Sequence, residues 1–262
     1  MLPAVDHAVV TLAVTAAVFF LLWLLSLRLR DASIVDSWWG PGFVLVAFVT
    51  FLLTPDGARP RRLLVLVLVA AWGLRLGAHI FLRNHGRPED PRYEAMRRSW
   101  GDRFPVASLF TVFAFQALIL WVVSAPVQAA QRSAVPASLG AWDAAGVVAW
   151  VVGFFFETVG DAQLARFRAD PANAGRVMDR GLWRYTRHPN YFGDACAWWG
   201  LWLIACAIPG GWITAFSPLV MTFLLRRVSG VPMLERGMAA RRPGYEEYVR
   251  RTSPFLPWPP RG

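Results

Sequence analysis

Residues 184–208 read RYTRHPNYFGDACAWWGLWLIACAI. Two arginines, a histidine, an asparagine, two tyrosines and an aspartate stand directly before a run that carries no charge. Water would solvate such a cluster in any loop, so its meaning depends on what the apolar run does. If 192–208 crosses a bilayer, the polar stretch is a collar or a ligand site at the membrane surface.

The rest of the chain favours the bilayer. Its 262 residues are 56% hydrophobic, with a mean hydropathy of +0.39. Seven runs have the length and apolarity to cross a ~30 Å hydrocarbon core: 7–27, 34–53, 63–82, 105–124, 141–158, 192–208 and 211–228. The first lacks a basic leader and ends in Arg28 and Arg30, which fits a retained span better than a cleaved signal. The expectation is an all-α polytopic membrane protein of about seven spans, forming one integral-membrane domain over residues 1–262.

All 27 basic residues are arginine, and the net charge is +10. In a soluble protein that balance would suggest nucleic acid; here the arginines gather in particular loops. Loop 83–104 holds six, loop 162–191 six and the segment from Arg226 onward eight, with Arg28 and Arg30 at the first turn. The opposite side has Arg59, Arg61, Arg62 and Arg132. By the positive-inside rule the N-terminus lies outside and the C-terminus in the cytoplasm. Loops 83–104 and 162–191 and the tail 229–262 then share one cytoplasmic face.

Ionisable groups inside spans carry a functional expectation, because leaving one unpaired at the bilayer centre costs ~2.5–3.5 kcal/mol or more. In GFFFETVGDAQLARFR, Glu157, Asp161 and Arg168 lie close to one helical face. They form either an ion-pair network that fixes the bundle or a site where carboxylates meet ribose hydroxyls and Arg166 and Arg168 meet phosphates. Arg75, His79 and Arg83 are spaced by four, a basic stripe entering the membrane at Arg75, with Asp36 a candidate partner. Loop 83–98 adds Asn84, Arg87, Glu89, Asp90, Arg92 and Tyr93, and its E-D-P reads as a helix start. Asn190 reads as a helix N-cap and 244–251 as a short amphipathic helix. Cys196 and Cys206 fit no zinc spacing and read as free core thiols; no metal site is expected. GxGxxG after a strand, GxxxxGK[ST], HExxH and GxSxG are all missing from the sequence, so neither a Rossmann domain, a P-loop nor a hydrolase elbow is supported.

Three stretches carry a resemblance: DSWWGPGF (36–43), WGLRLGAHIFLRNHGRPEDPRY (72–93) and GLWRYTRHPNYFGD (181–194). Together they resemble the bacterial branch of the steroid 5-alpha-reductase-like membrane family. Stretches similar to the third also occur in isoprenylcysteine carboxyl methyltransferases and sterol carbon-14 reductases. The second separates the chain from the methyltransferases. The resemblance implies NADPH inside a helical bundle and reduction of an enone carbon–carbon double bond. Asp161, Arg168, Arg176, Asn190 and Asp194 match polar positions the family uses for NADPH. Asp36 loosely matches an acidic catalytic position. Glu157 stands where animal members have asparagine, and Trp72 stands near where they pair the carboxylate with a tyrosine.

The candidate sites follow. For catalysis they are Asp36, Arg75, His79 and Trp72, with a protonated Asp36 preferred as donor to the developing enolate. For the cofactor they are Arg83, Asn84, Arg87, Asp90, Tyr93, Glu157, Asp161, Arg166, Arg168 and Arg176, with Tyr185, Arg187, His188, Asn190, Tyr191 and Asp194 of the opening stretch. Glu235, Arg242 and Tyr245 of the tail complete the set. The substrate would be a 3-oxo-delta-4 steroid or another lipid enone entering from the bilayer, with no nucleic-acid partner and a monomer as the default. The alternative is an S-adenosylmethionine-dependent membrane methyltransferase of the isoprenylcysteine or phospholipid type.

Overall fold

The computed structural model describes residues 4–228, Glu235, Met238 and 242–261, and every regular element among them is helical. The chain divides into two compact units, Met1–Leu139 and Gly140–Gly262.

The first unit opens with α1 (Ala4–Leu29). Leu21, Leu24, Leu25 and Leu29 are exposed while Phe19 and Leu22 are buried, so this helix is apolar on its outer face as well. That pattern suits lipid, not water. Asp31 then caps a 3₁₀ stretch (Ala32–Trp38), its carboxylate accepting from Ser33 N at 2.8 Å. It leads into α2 (Trp39–Leu53) and, after a short turn, α3 (Arg59–Asn84). These two helices cross with backbones touching: a Cβ on Gly40 would lie 2.0 Å from Gly73 O, and one on Gly77 2.6 Å from Pro41. Small residues four apart permit that approach. It presses the head of α2, just beyond Asp36, against the middle of α3.

Next come α4 (Pro91–Trp100), α5 (Phe104–Ser108), a π-helical turn (Leu109–Ala114), α6 (Phe115–Val123) and α7 (Ala125–Arg132). Asp90 caps α4 through Arg92 N at 2.9 Å, as the E-D-P signal predicts. Buried polar groups in the helices satisfy one another: Trp121 Nε1 donates to Thr11 Oγ1, which donates to Gln128 Oε1, both at 3.0 Å. Arg61 and Arg62 count as outer-loop charges in the sequence. Both are buried, Arg61 donating to the carbonyls of Pro136 (2.8 Å) and Ser138 (3.0 Å) and Arg62 to that of Pro55 (2.8 Å). They staple loops together as well as setting charge.

In the second unit α8 (Ala141–Ala169) packs on α9 (Pro189–Ala205). Gly146, Gly153 and Gly160 of α8 recur every seven residues, as do Gly193 and Gly200 of α9. A Cβ on Gly153 would lie 2.4 Å from Ala197 N, and one on Gly200 2.6 Å from Gly146 O. The helices therefore meet backbone to backbone along a seam of glycine. α10 (Phe216–Phe223) continues into a π-helical turn (Leu224–Val228), and α11 (Tyr245–Arg251) matches the expected tail helix.

Among the described residues five helical segments are long and apolar enough to cross a membrane: Asp6–Leu29, Ala32–Leu53, Arg59–Asn84, Pro91–Val123 and Ala141–Ala169. The sequence suggested seven. The sixth run folds as the 17-residue α9, and the seventh is divided into a 3₁₀ turn (Gly211–Ala215), eight-residue α10 and the π-helical turn. Neither α9 nor α10 alone reaches the ~20 residues of an upright span. The fourth span is also longer than expected, because α4 runs on into it.

Candidate functional site

In the first unit the polar residues converge on Asp36, at the end of the 3₁₀ stretch. Its Oδ1 accepts from the Tyr93 hydroxyl at 2.7 Å and its Oδ2 from Arg92 Nη2 at 2.6 Å. Arg92 is held in turn by Asp90, with Nε to Oδ1 at 2.8 Å and Nη2 to Oδ2 at 3.1 Å, a two-pronged grip that fixes the guanidinium plane. Gln116, on the fourth span, donates to the Tyr93 oxygen at 3.3 Å while its own carbonyl accepts from Trp39 Nε1 at 2.6 Å. Tyr93 is buried. A phenol thus sits between a carboxylate that accepts its proton and an amide that donates to its oxygen.

The loop beneath is locked by ion pairs. Arg97 reaches Glu89 at 2.9 Å, and the same Glu89 oxygen accepts from Ala32 N at 2.7 Å. Burial pushes the Glu89 carboxyl up, but the Arg97 and Ala32 hydrogen bonds outweigh it and leave the group below its ordinary value. Burial acts likewise on Asp90, and the hydrogen bonds from Arg92 again bring it lower.

The second unit gathers a different set. Asp161 on α8 accepts from Asn190 Nδ2 at 3.0 Å. His188 Nε2 lies 2.9 Å from Glu235 Oε1, and Arg187 Nε is 3.2 Å from the same oxygen. The His188 ring stacks on Tyr191 with centroids 5.6 Å apart. The strap below is pinned by Arg187 N to Ser253 O (2.9 Å), Thr186 Oγ1 to Phe255 O (2.8 Å) and Trp258 N to Tyr185 O (2.9 Å). Arg187 is only 9% exposed at its side chain, yet its Nη1 finds no hydrogen-bond acceptor among the described residues. A buried guanidinium edge of that kind suits an anionic oxygen.

Glu235 is the hub of this set. Burial would raise its carboxyl, but the hydrogen bond from His188 and the charges of Arg187 and His188 more than reverse this and hold it below the ordinary glutamate range. Burial, then the facing Glu235, pushes the Tyr245 phenol up to about 12. A carboxyl whose folded value is depressed contributes fully above its unfolded value, about 4.3, and loses that contribution as pH falls through the folded value. Corrected amide exchange in α11 is therefore expected to stay constant from pH 7 to 5 and to quicken below about pH 4. Glu235→Gln should remove the step; protection that stays flat down to pH 3 in the wild-type protein would rule out Glu235 as the anchor.

Several assignments from the sequence change. Trp72, placed by the sequence near the aromatic partner of Asp36, is buried and packs edge-on against Phe43, with ring centroids 5.7 Å apart. Tyr93, grouped with the cofactor, fills that role. Asp90, also grouped with the cofactor, braces Arg92. The partner sought for Asp36 at Arg75 is found at Arg92, while Arg75 and His79 sit farther along α3. Asn190 is not the N-cap of α9, because Pro189, with its fixed φ, takes the first helical position and His188 the cap. Freed from capping, the Asn190 amide reaches Asp161.

Other candidates are placed less tightly. Arg83 donates to Asn84 Oδ1 at 3.1 Å on an exposed end of α3, with Arg87 exposed in the turn after it. Arg166 and Arg168 are exposed at the end of α8, Glu157 is buried on it, and Arg242 Nη1 holds the Arg176 carbonyl. Asp194 lies one turn into α9, and Tyr185 is exposed. Gln116 escapes the sequence reading, which counts Arg92 among the charges of loop 83–98 without giving it a role. The signals were available: Arg92 directly follows a capped Asp-Pro, and Gln116 is the one amide in the apolar run 105–124.

Helices of this length and apolarity, with polar residues gathered and hydrogen-bonded beside them, define an integral-membrane helical protein. The chain belongs to the family described as "Protein of unknown function (DUF1295)", whose model matches residues 22–252. It is also similar to an uncharacterised protein of the fission yeast Schizosaccharomyces pombe, 24% identical over 263 residues, covering 90% of this chain and 75% of that protein. No solved structure matches the chain.

Proposed function

We propose that this protein reduces the carbon–carbon double bond of a lipid enone, with NADPH as reductant and a 3-oxo-delta-4 steroid as the leading substrate. The observation that carries the reading is the Asp36–Tyr93 pair, with Arg92 and Gln116 fixing its two ends. The resemblance of 36–43, 72–93 and 181–194 to the steroid 5-alpha-reductase-like family points the same way. NADPH when bound supplies a hydride for the carbon beta to the ketone. With Asp36 protonated the bond between the two reverses: the carboxyl donates to the Tyr93 oxygen, the phenol proton turns to the ketone oxygen, where negative charge develops, and the Asp36 proton, drawn from solvent, replaces the one transferred. Gln116 and Arg92 need no movement, so the donor is preorganised. In this reading the sequence's preferred donor, Asp36, acts through Tyr93.

The second unit has the chemistry for a phosphorylated dinucleotide. The unmet Arg187 edge suits a phosphate oxygen, and the Asp161–Asn190 pair can hold hydroxyl or amide groups. Exposed Arg166 and Arg168 offer charge for a 2′-phosphate. The arginine distribution favours an N-terminus outside and a cofactor-binding face in the cytoplasm, and the resemblance to the bacterial branch of that family favours a bacterial inner membrane.

Detergent-solubilised protein is expected to gain thermal stability with NADPH and to consume it with 3-oxo-delta-4 steroids. Stabilisation by S-adenosylmethionine alone would overturn the reading in favour of methyl transfer. Arg168→Ala is expected to weaken NADPH about tenfold more than NADH, as one lost charge-assisted contact implies. Equal weakening in a titration of both would remove Arg168 from the 2′-phosphate.

A further inference from the structure

The second unit contains a cavity of about 390 Å³ that the reductase reading does not use. Phe192, Cys196 and Trp199 line it along one face of α9, Thr222 lies beside Trp199, and Phe255 lies where Arg226 sits. Its body is hydrocarbon and aromatic ring. The volume falls within the ~300–1,000 Å³ of small-molecule sites.

Two features make this a built pocket. The 253–256 strap is held by the hydrogen bonds from Arg187 N and Thr186 Oγ1, and Trp199 Nε1 is tied to Thr222 Oγ1 at 3.2 Å. Arg226 supplies the pocket's charge: it stacks over Phe255 at 5.2 Å and pairs with no carboxylate among the described residues. Arg226 also follows an apolar run (211–225), so its guanidinium marks the polar end of an otherwise apolar channel. A ligand complementary to it has one apolar chain and one anionic head.

We propose that this cavity binds a fatty acid, its chain along α9 beside Trp199 and Cys196 and its carboxylate on Arg226. The site is independent of the enone reaction. Two consequences separate it from simple hydrophobic adsorption. Each added CH₂ should tighten binding about fourfold until the channel is filled, following chain-burial energetics. A fatty alcohol of equal length should bind about tenfold more weakly, because the charge-assisted bond is lost.

Cys196 lines the cavity and Cys206 does not, which supplies a reporter. The full chain carrying Cys206→Ser, in phosphatidylcholine nanodiscs, is alkylated with N-ethylmaleimide and followed by intact mass. Decanoate and dodecanoate should slow alkylation of Cys196 at least about fivefold at saturation, with dodecanoate acting at lower concentration and dodecanol far less effective. Arg226→Ala should remove the advantage of the acid over the alcohol. In case that variant folds poorly, dodecanoate bearing a terminal diazirine is crosslinked to the unaltered chain, where label should enter peptides containing Phe192–Trp199 or Phe255.

The proposal fails if dodecanol protects as well as dodecanoate, or if label spreads over the outer helix faces. It also fails if Cys196 is shielded without ligand, which would assign the cavity to bulk phospholipid or to a segment of this chain.

Discussion

Tyr93→Phe is expected to lower kcat by about 10²- to 10⁴-fold, the usual worth of a positioned general acid, while NADPH binding changes less than about threefold. Asp36 holds the Tyr93 hydroxyl at 2.7 Å and Gln116 donates to the same oxygen, so the phenol is aimed by groups on two different segments. Phenylalanine keeps the ring packing and deletes only the donor. Asp36→Asn should act in the same direction, because an amide can hold the phenol but cannot return a proton. It also removes the ion pair with Arg92, which destabilises the 3₁₀ segment, so Tyr93→Phe is the cleaner test.

The expected pattern in Tyr93→Phe is a fall in kcat with KM nearly constant, because the lost interaction belongs to the transition state. A purely structural role would lower thermal stability and raise KM without that selective loss. A steady-state assay with a 3-oxo-delta-4 steroid, alongside NADPH titration, reads both. Turnover within fivefold of the wild type would remove Tyr93 from the chemistry.

The sequence carried much of this and missed one kind of information. Apolar runs located most helices, and Asp90-Pro91 located the start of α4, because each signal is local. Pro189 likewise marked the head of α9, although its effect on Asn190 was misread. The pairing of Asp36 with Tyr93 joins residues 57 apart in sequence. It depends on the turn after α3 folding Asp90 and Arg92 back beside the 3₁₀ stretch, which no periodicity encodes. Trp72 and Tyr93 could not be separated for the same reason: a resemblance gives positions along a chain, whereas the contact depends on which helix the loop returns to. The seventh apolar run, 211–228, folds as a 3₁₀ turn, α10 and a π turn, a subdivision that composition does not show.

The seven-residue glycine repeat was also in plain view, and it supports the second prediction of large effect. Gly153→Leu is expected to leave no properly folded second unit, and Gly153→Ala to cost about 2–4 kcal/mol, at the upper end of overpacking effects. A Cβ at this position would lie 2.4 Å from Ala197 N and 2.5 Å from Gly193 O. Those atoms belong to the α9 backbone, so no rotamer change relieves the contact. The helices would have to separate along the whole seam.

On the proposed function, separation also weakens cofactor binding, because the same helices carry Asp161 and Asn190, whose 3.0 Å bond needs α8 and the head of α9 side by side. Gly160 lies one repeat further on, where a Cβ would meet Pro189 at 3.1 Å. Gly153→Ala should therefore weaken NADPH along with lowering the melting temperature, while Gly140→Ser should be neutral or mildly stabilising. Gly140 caps α8, has open space around its Cα, and serine is a favoured residue at that position. Thermal unfolding of the three proteins in one detergent, followed by fluorescence-detected size exclusion, reads the outcome. If Gly153→Ala melts within a degree of the wild type, the two helices do not meet at this seam.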